Sequence, residues 1–208
     1  MELSRMRLNI SKVHTIQALQ NPNIFHGAIE NAFHGEDVIW RIDQLRGDYY
    51  LMLVSEAPFD SQVLIQQFGY KDEKIQSVDY AKVMNAIKEG TVWHFRLVAN
   101  PTIAIMDSKK ESKRGKRVAC LNDKSQIEWL LKRCANFGCD IDANQLRISE
   151  KRWIRFKKKD GNHRVSIYSV AYEGYLKVVD PELLKKKMVE GIGHGKAYGL
   201  GMLTVMKG

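Results

Sequence analysis

Residues 3–10, LSRMRLNI, alternate apolar and polar positions, the period of a half-buried strand. A polar loop follows. Ile24, Phe25, Ala28, Ile29, Ala32 and Phe33 then recur at helical spacing, predicting a helix over 21–33 with Asn21 or Asn23 as cap and Pro22 in the first turn. DVIWRI (37–42) and YYLMLVS (49–55) flank Arg46-Gly47-Asp48 and read as a hairpin. A helix is expected over 60–68, started by Asp60 and Ser61, and a short strand over 74–79. The order is β-α-β-β-α-β.

After Gly90 the pattern starts again. A strand over 91–101 ends at Asn100-Pro101, and an amphipathic helix over 123–138 stops at Gly138. Long strands over 145–159 and 162–178 enclose Asp160-Gly161, a hairpin signal. A helix over 180–191 has Asp180 as cap, Pro181 in first position and Gly191 as stop, and the last strand covers 199–206. The expected fold is α+β: two tandem ferredoxin-like (RRM-like) domains, one over 1–88 and one over 89–208.

Between the last helix and the last strand, Gly191, Gly193, Gly195 and Gly199 are interleaved with His194, Lys196 and Tyr198. Glycines admit positive φ, and successive N–H groups in such a loop form an anion-binding nest. A plain flexible connection fits the same spacing. The pattern is neither a P-loop nor a dinucleotide fingerprint, because GxxxxGK[ST] is missing and no helix opens after it.

Charge sharpens the picture. The chain carries 33 Lys+Arg against 24 Asp+Glu, net +9, and the excess lies in the second half. That distribution favours a polyanionic partner on one face. Arg152, Arg155, Lys157, Lys158, Lys159 and Arg164, with Trp153 and Phe156 among them, mark the long hairpin as a nucleic-acid surface; a solvated tip explains the lysine run equally simply. Arg152 and Arg155 are assigned to one side of the strand. The run 109–117 is read as a loop, serving phosphate contact or solvation. Three cysteines without a CxxC pair suit a reducing cytoplasm and argue against a disulfide framework. No run of roughly 18 apolar residues predicts a membrane span, and no apolar signal region is expected at the start. His14, His26 and His34 lack the spacing and partners of a metal set.

EGIGHGKAYGLGMLTV, HFRLVANPT (94–102), ESKRGKRVACLNDKSQIEWLLKRCANFG (111–138) and SVAYEGYLKV (169–178) together resemble the type I-E precursor-CRISPR-RNA endoribonucleases (the CasE family) of the repeat-associated RNA-binding superfamily. The resemblance implies two ferredoxin-like domains and cleavage of the repeat stem-loop without metal or cofactor. It also implies retention of the guide RNA in a multi-subunit surveillance complex, and a hairpin that lies along the RNA stem. The family's reactive histidine sits in its first helix within xLHxxLWxxF, read here as IFHGAIENAF, which places it at His26.

Histidine suits 2′-OH transesterification because it titrates near neutral pH; the expected ends are a 2′,3′-cyclic phosphate and a 5′-OH. The family's tyrosine three residues earlier is Asn23 here, which cannot supply a phenol, and the position after the histidine is Gly27. Asn23, His34, Lys157, Lys158 and Lys196 are the candidate supporting groups, and His194 and Lys196 join the RNA-binding set. Asn23 also favours a rival reading, a catalytically weak RNA-holding subunit. An unrelated basic RNA-binding protein is disfavoured by the doubled element order and the terminal glycine loop.

Overall fold

The structure, a computed structural model, describes residues 1–72, 74–105, 115–157 and 163–207. The first half folds as β1 (Glu2–Arg7), α1 (Val13–Gln20), α2 (Asn23–Ala32), β2 (Ile39–Leu45), β3 (Asp48–Ser55), α3 (Ser61–Phe68) and β4 (Gln76–Asp79). The strands form one antiparallel sheet in the order β2-β3-β1-β4. Alternation turns Met6, Leu51 and Leu53 to the helical side, where they pack on Phe25, Ala28, Ile29, Phe33, Leu64 and Phe68. The opposite face carries Leu3, Arg5 and Arg7 of β1.

The second half repeats the plan after α4 (Ala81–Ala86). It contains β5 (Val92–Ala99), β6 (Thr102–Ile105), β7 (Lys116–Ala119), α5 (Asp123–Leu131), β8 (Cys139–Asp140), β9 (Leu146–Lys157), β10 (Arg164–Val178), α6 (Pro181–Glu190) and β11 (Leu203–Met206). Its sheet runs β11-β5-β10, with β8 and β9 both paired along the far edge of β10. Both halves therefore have the strand arrangement of a ferredoxin-like fold, as expected.

The helix starts follow the sequence. Asp60, Asn122 and Asp180 accept hydrogen bonds from the N–H groups of Gln62, Ser125 and Leu183. Asn21, not Asn23, serves α2: its Oδ1 accepts from the Asn23 N–H at 3.3 Å.

Several expectations are corrected. Residues 13–20, read as loop, form α1, so the helix bearing His26 is the second. Only Thr15 and Ala18 of α1 are buried, while Val13 and Ile16 face solvent, which is why no apolar stripe announces it. The helix expected over 123–138 ends at Leu131, and a 3-10 turn, Cys134–Phe137, leads into Gly138. The last strand starts at Leu203, because the glycine-rich segment takes up the residues before it. An unforeseen antiparallel ribbon, β6–β7, stands between β5 and α5. The three cysteines are buried free thiols.

The halves share a core. Ile39 and Val54 of the first sheet join Trp93, Phe95, Leu97, Trp129, Tyr172, Leu184 and Met202 in one cluster. Beside it, the Arg41 guanidinium, 3% exposed, binds both carboxylate oxygens of Asp43 at 2.8 Å and donates to the Met202 carbonyl at 2.9 Å. Arg96 of β5 reaches Asp43 at 3.1 Å and also pairs with Glu173 of β10. A charged chain therefore stitches β2 to β5, β10 and β11. Burial pushes the Asp43 carboxyl up, but Arg41 and Arg96 outweigh it and hold the group below the usual carboxylate range.

Candidate active site

The side of α2 that faces the core is fixed by Phe25, Ala28 and Ile29. His26, next to Phe25, falls on the margin of that stripe, with its side chain 32% exposed. One turn on, the Glu30 carboxylate lies 3.4 Å from His26 Nε2. The imidazole opens into a cleft of about 420 Å³ between α2, the approach to β2, the end of α6 and the glycine-rich loop. Lys196 lies on its rim, and its Nζ donates to the Glu190 carbonyl at 2.8 Å, capping α6. Glu30, Glu36, Asp37 and Glu190 also line the cleft, so its floor is acidic and its cationic side is the loop.

The loop is tightly folded. Gly191, Gly193, Gly195, Gly199 and Gly201 all have positive φ. The N–H of Gly201 donates to Val98 at 2.6 Å, and its carbonyl accepts from Ile192 at 2.8 Å. At Gly199, φ 75°, a Cβ would come within 2.7 Å of the Trp40 ring. These bonds argue against a flexible connection. Gly201 belongs to the glycine set, which the sequence reading ended at Gly199. Among the described residues, the N–H groups of 193–197 donate to no protein acceptor, backbone or side chain. Five successive N–H groups are thus left without a protein acceptor, with positive φ at Gly193 and Gly195.

The hairpin β9–β10 meets the loop from the other side. Tyr198 packs edge-on against Phe156, with centroids 5.1 Å apart. Arg152 shares a narrow crevice with Pro22, Phe25, Trp40 and Tyr198. Arg152 and Arg155 lie on opposite faces of β9, not on one: three residues apart, they cannot share a side of a strand. Ile154 and Phe156 are buried beside Arg152's face with Ile167 and Leu200. The other face presents Trp153, Arg155 and Lys157 opposite Tyr168, Ser166 and Arg164. There the Arg155 guanidinium stacks 4.8 Å over the Trp153 ring, which itself packs on Tyr168. Lys158 and Lys159 lie outside the described residues.

The structure thus sets His26 and Lys196 on one cleft, and Arg152 with Tyr198 and Gly199 in a separate crevice that shares Trp40 with it. Asn23 stands one turn before His26 in the same helix, half-buried, and its side-chain amide makes no hydrogen bond among the described residues. His34 stands apart: it is exposed at the far end of α2 with φ 54°, about 12 Å along the helix axis from His26. Two basic residues escaped the sequence reading, Arg133 and, as a site residue, Arg117. The signal for Arg133 was its place four residues after Trp129, over whose ring its guanidinium sits at 4.6 Å.

Two sheets of ferredoxin-like order, with a basic hairpin and a glycine-rich loop in the second half, define a double ferredoxin-like α+β class. The chain belongs to the CRISPR associated protein family, whose model matches residues 1–207. It is similar to the CRISPR-associated endoribonuclease Cse3 of Thermus thermophilus, 29% identical over 99% of each chain. It is also similar to the CRISPR system Cascade subunit CasE of Escherichia coli, 31% identical over 57% of this chain and 60% of that one. Among solved structures, CRISPR endoribonuclease Cse3 bound to 19 nt RNA superposes with a TM-score of 0.82 at 26% identity, covering 99% of this chain and 100% of the other. No described helix is long and apolar enough to cross a membrane.

Proposed function

We propose that the chain is a metal-independent, repeat-specific endoribonuclease that cuts precursor CRISPR RNA at the 3′ base of the repeat stem-loop. It then keeps the mature guide RNA as a subunit of a surveillance complex, in the reducing cytoplasm that its free cysteines suit. The observation that carries the reading is the cleft that His26 shares with Lys196 of the glycine-rich loop. The likeness to Cse3, an endoribonuclease whose RNA complex has this fold, supports it.

RNA cleaves when its 2′-OH attacks the adjacent phosphorus and the 5′-oxygen leaves. The acidic floor of the cleft repels a phosphodiester, so the scissile linkage enters along the loop rim, where Lys196 offsets the growing phosphorane charge. A neutral imidazole that turns one N–H to Glu30 presents its other nitrogen to the 2′-OH as base; the protonated ring serves the leaving oxygen as acid. Lys157 and Arg164 on the hairpin, with Lys158 and Lys159 beyond them, hold the stem by its phosphates, since A-form RNA hides most base edges.

The test incubates the protein with its cognate repeat RNA in EDTA, beside His26→Ala. One cut is expected, with 2′,3′-cyclic phosphate and 5′-OH ends. The substitution should slow it by about 10²–10⁴-fold while RNA binding survives. A 2′-deoxy residue at the cut should block it. Dependence on magnesium, or full activity of His26→Ala, overturns the mechanism. Binding without any cleavage by the unmodified chain selects the rival reading, an RNA-holding subunit, which Asn23 favours by withholding a phenol from the site.

A further inference from the structure

Beyond the His26 cleft, the glycine-rich loop faces a second group of cations that the cleavage chemistry does not use. Gly193 rests on the Trp129 ring, where a Cβ would stand 3.6 Å from it. Arg133 lies over that same ring and spends one guanidinium N–H on the Trp129 carbonyl at 2.9 Å. Among the described residues its remaining donors meet no acceptor. Arg117 of β7 and His194 of the loop are exposed, and each lies close enough to the other cations to feel their charge. Among the described residues, none of Arg117, Arg133 and His194 has a carboxylate partner. The N–H groups of Gly193 and His194, which have no protein acceptor among the described residues, lie on this side of the loop. Cations without a carboxylate partner beside unpaired N–H donors suit an anion.

We propose that Arg117, Arg133 and His194, with the free N–H groups of Gly193 and His194, form a phosphate-binding subsite that takes the RNA backbone beyond the cut. The proposal rests on the RNA-cleaving reading above and adds a second fixed point for the same strand. It also couples binding to a proton. Burial, and then the charges of Arg117, Arg133 and Lys196, hold the His194 ring below the usual histidine range. The other titratable neighbours, Cys120 and Tyr172 beside Arg133, are pushed up by burial and so carry no charge to offset them. A phosphate placed among these groups reverses the balance, and the imidazole takes up a proton as RNA binds. Affinity therefore tightens as pH falls from about 8 to about 6.

Binding is measured in the His26→Ala background with the repeat stem-loop RNA, across salt and pH, for the parent and for Arg117→Ala and His194→Asn. Both positions are exposed, so neither substitution removes a core contact. Each variant is expected to weaken binding and to flatten the plot of log affinity against log salt by about one contact, roughly 0.7–0.9 in slope. The parent's gain in affinity at low pH, up to about tenfold per unit, should vanish in His194→Asn. A magnetic-resonance titration of the His194 ring should show its pKa rise with RNA and stay unmoved by inorganic phosphate. Variants that bind like the parent at every salt and pH overturn the subsite alone. An equal rise with inorganic phosphate overturns its assignment to the RNA backbone. A parent that fails to bind the RNA overturns both this proposal and the reading beneath it, whereas RNA bound but never cut by the unmodified chain overturns only the cleavage chemistry.

Discussion

His26 shows how far a single position can be read. Its place in a helix was legible from the Phe25–Ala28–Ile29 stripe, and its candidacy came from the likeness of IFHGAIENAF to a family pattern. Its surroundings were not legible. Glu30, a carboxylate four residues on, follows from helical spacing, but the rest of the acidic cleft floor, Glu36, Asp37 and Glu190, comes from two other segments. The same holds for Gly199. Spacing marks it as a turn residue, yet only the fold shows its Cα pressed on Trp40. Gly199→Ala combines a positive φ with a Cβ 2.7 Å from the indole, so the loop must shift. A loss of roughly 1–3 kcal/mol is expected in chemical denaturation, with weaker RNA binding.

Among the elements, those with a buried stripe were visible and those without one were not. α2, α3 and α6 bury regular positions and carry their own stop and start residues. α1 exposes Val13 and Ile16, and the β6–β7 ribbon exposes Ile103, Ile105 and Val118, so neither has a one-sided pattern to detect. The long hairpin was found, but its sides were misassigned at Arg152 and Arg155. Two different roles follow from the correct pleat. Arg155 and Trp153 form a stacked cation and ring on the outward face, open to solvent, while Ile154 and Phe156 anchor the strand against Val98 and Leu200. Arg155→Ala should therefore lower RNA affinity and its salt dependence with little change in thermal stability. Ile154→Ala should do the reverse, costing about 2–5 kcal/mol of stability. Equilibrium unfolding beside an RNA titration separates the two.

At the scale of the whole molecule, the two element orders were legible and their union was not. We propose the division at 88/89 as one of topology, since Ile39 and Val54 belong to the core of the second half. Residues 1–88 expressed alone would expose them, together with the Arg41–Asp43 pair, and should fail to give a cooperative unfolding transition. In the full chain, Asp43→Ala leaves a buried guanidinium unpaired and should cost about 3–5 kcal/mol; Arg41→Met with Asp43→Leu should cost less than either alone. The Asp43 carboxyl lies lower when folded than when unfolded. Its stabilisation is therefore complete above the unfolded value, near about 3.9, and is lost as pH falls through the depressed folded value. Asp43→Asn should remove that acid limb from the stability profile.

That clasp bears on how a substrate is met. The Arg41 side chain touches Asp43, Met202, Thr204 and Arg96 at once, tying strands from both halves at the centre of the molecule. A hinge there would have to break all of these together, so the two halves do not clamp shut around a ligand. In the reaction proposed above, the deformation that brings a 2′-oxygen in line with its phosphorus would then fall on the nucleic acid, bent over a stationary anvil.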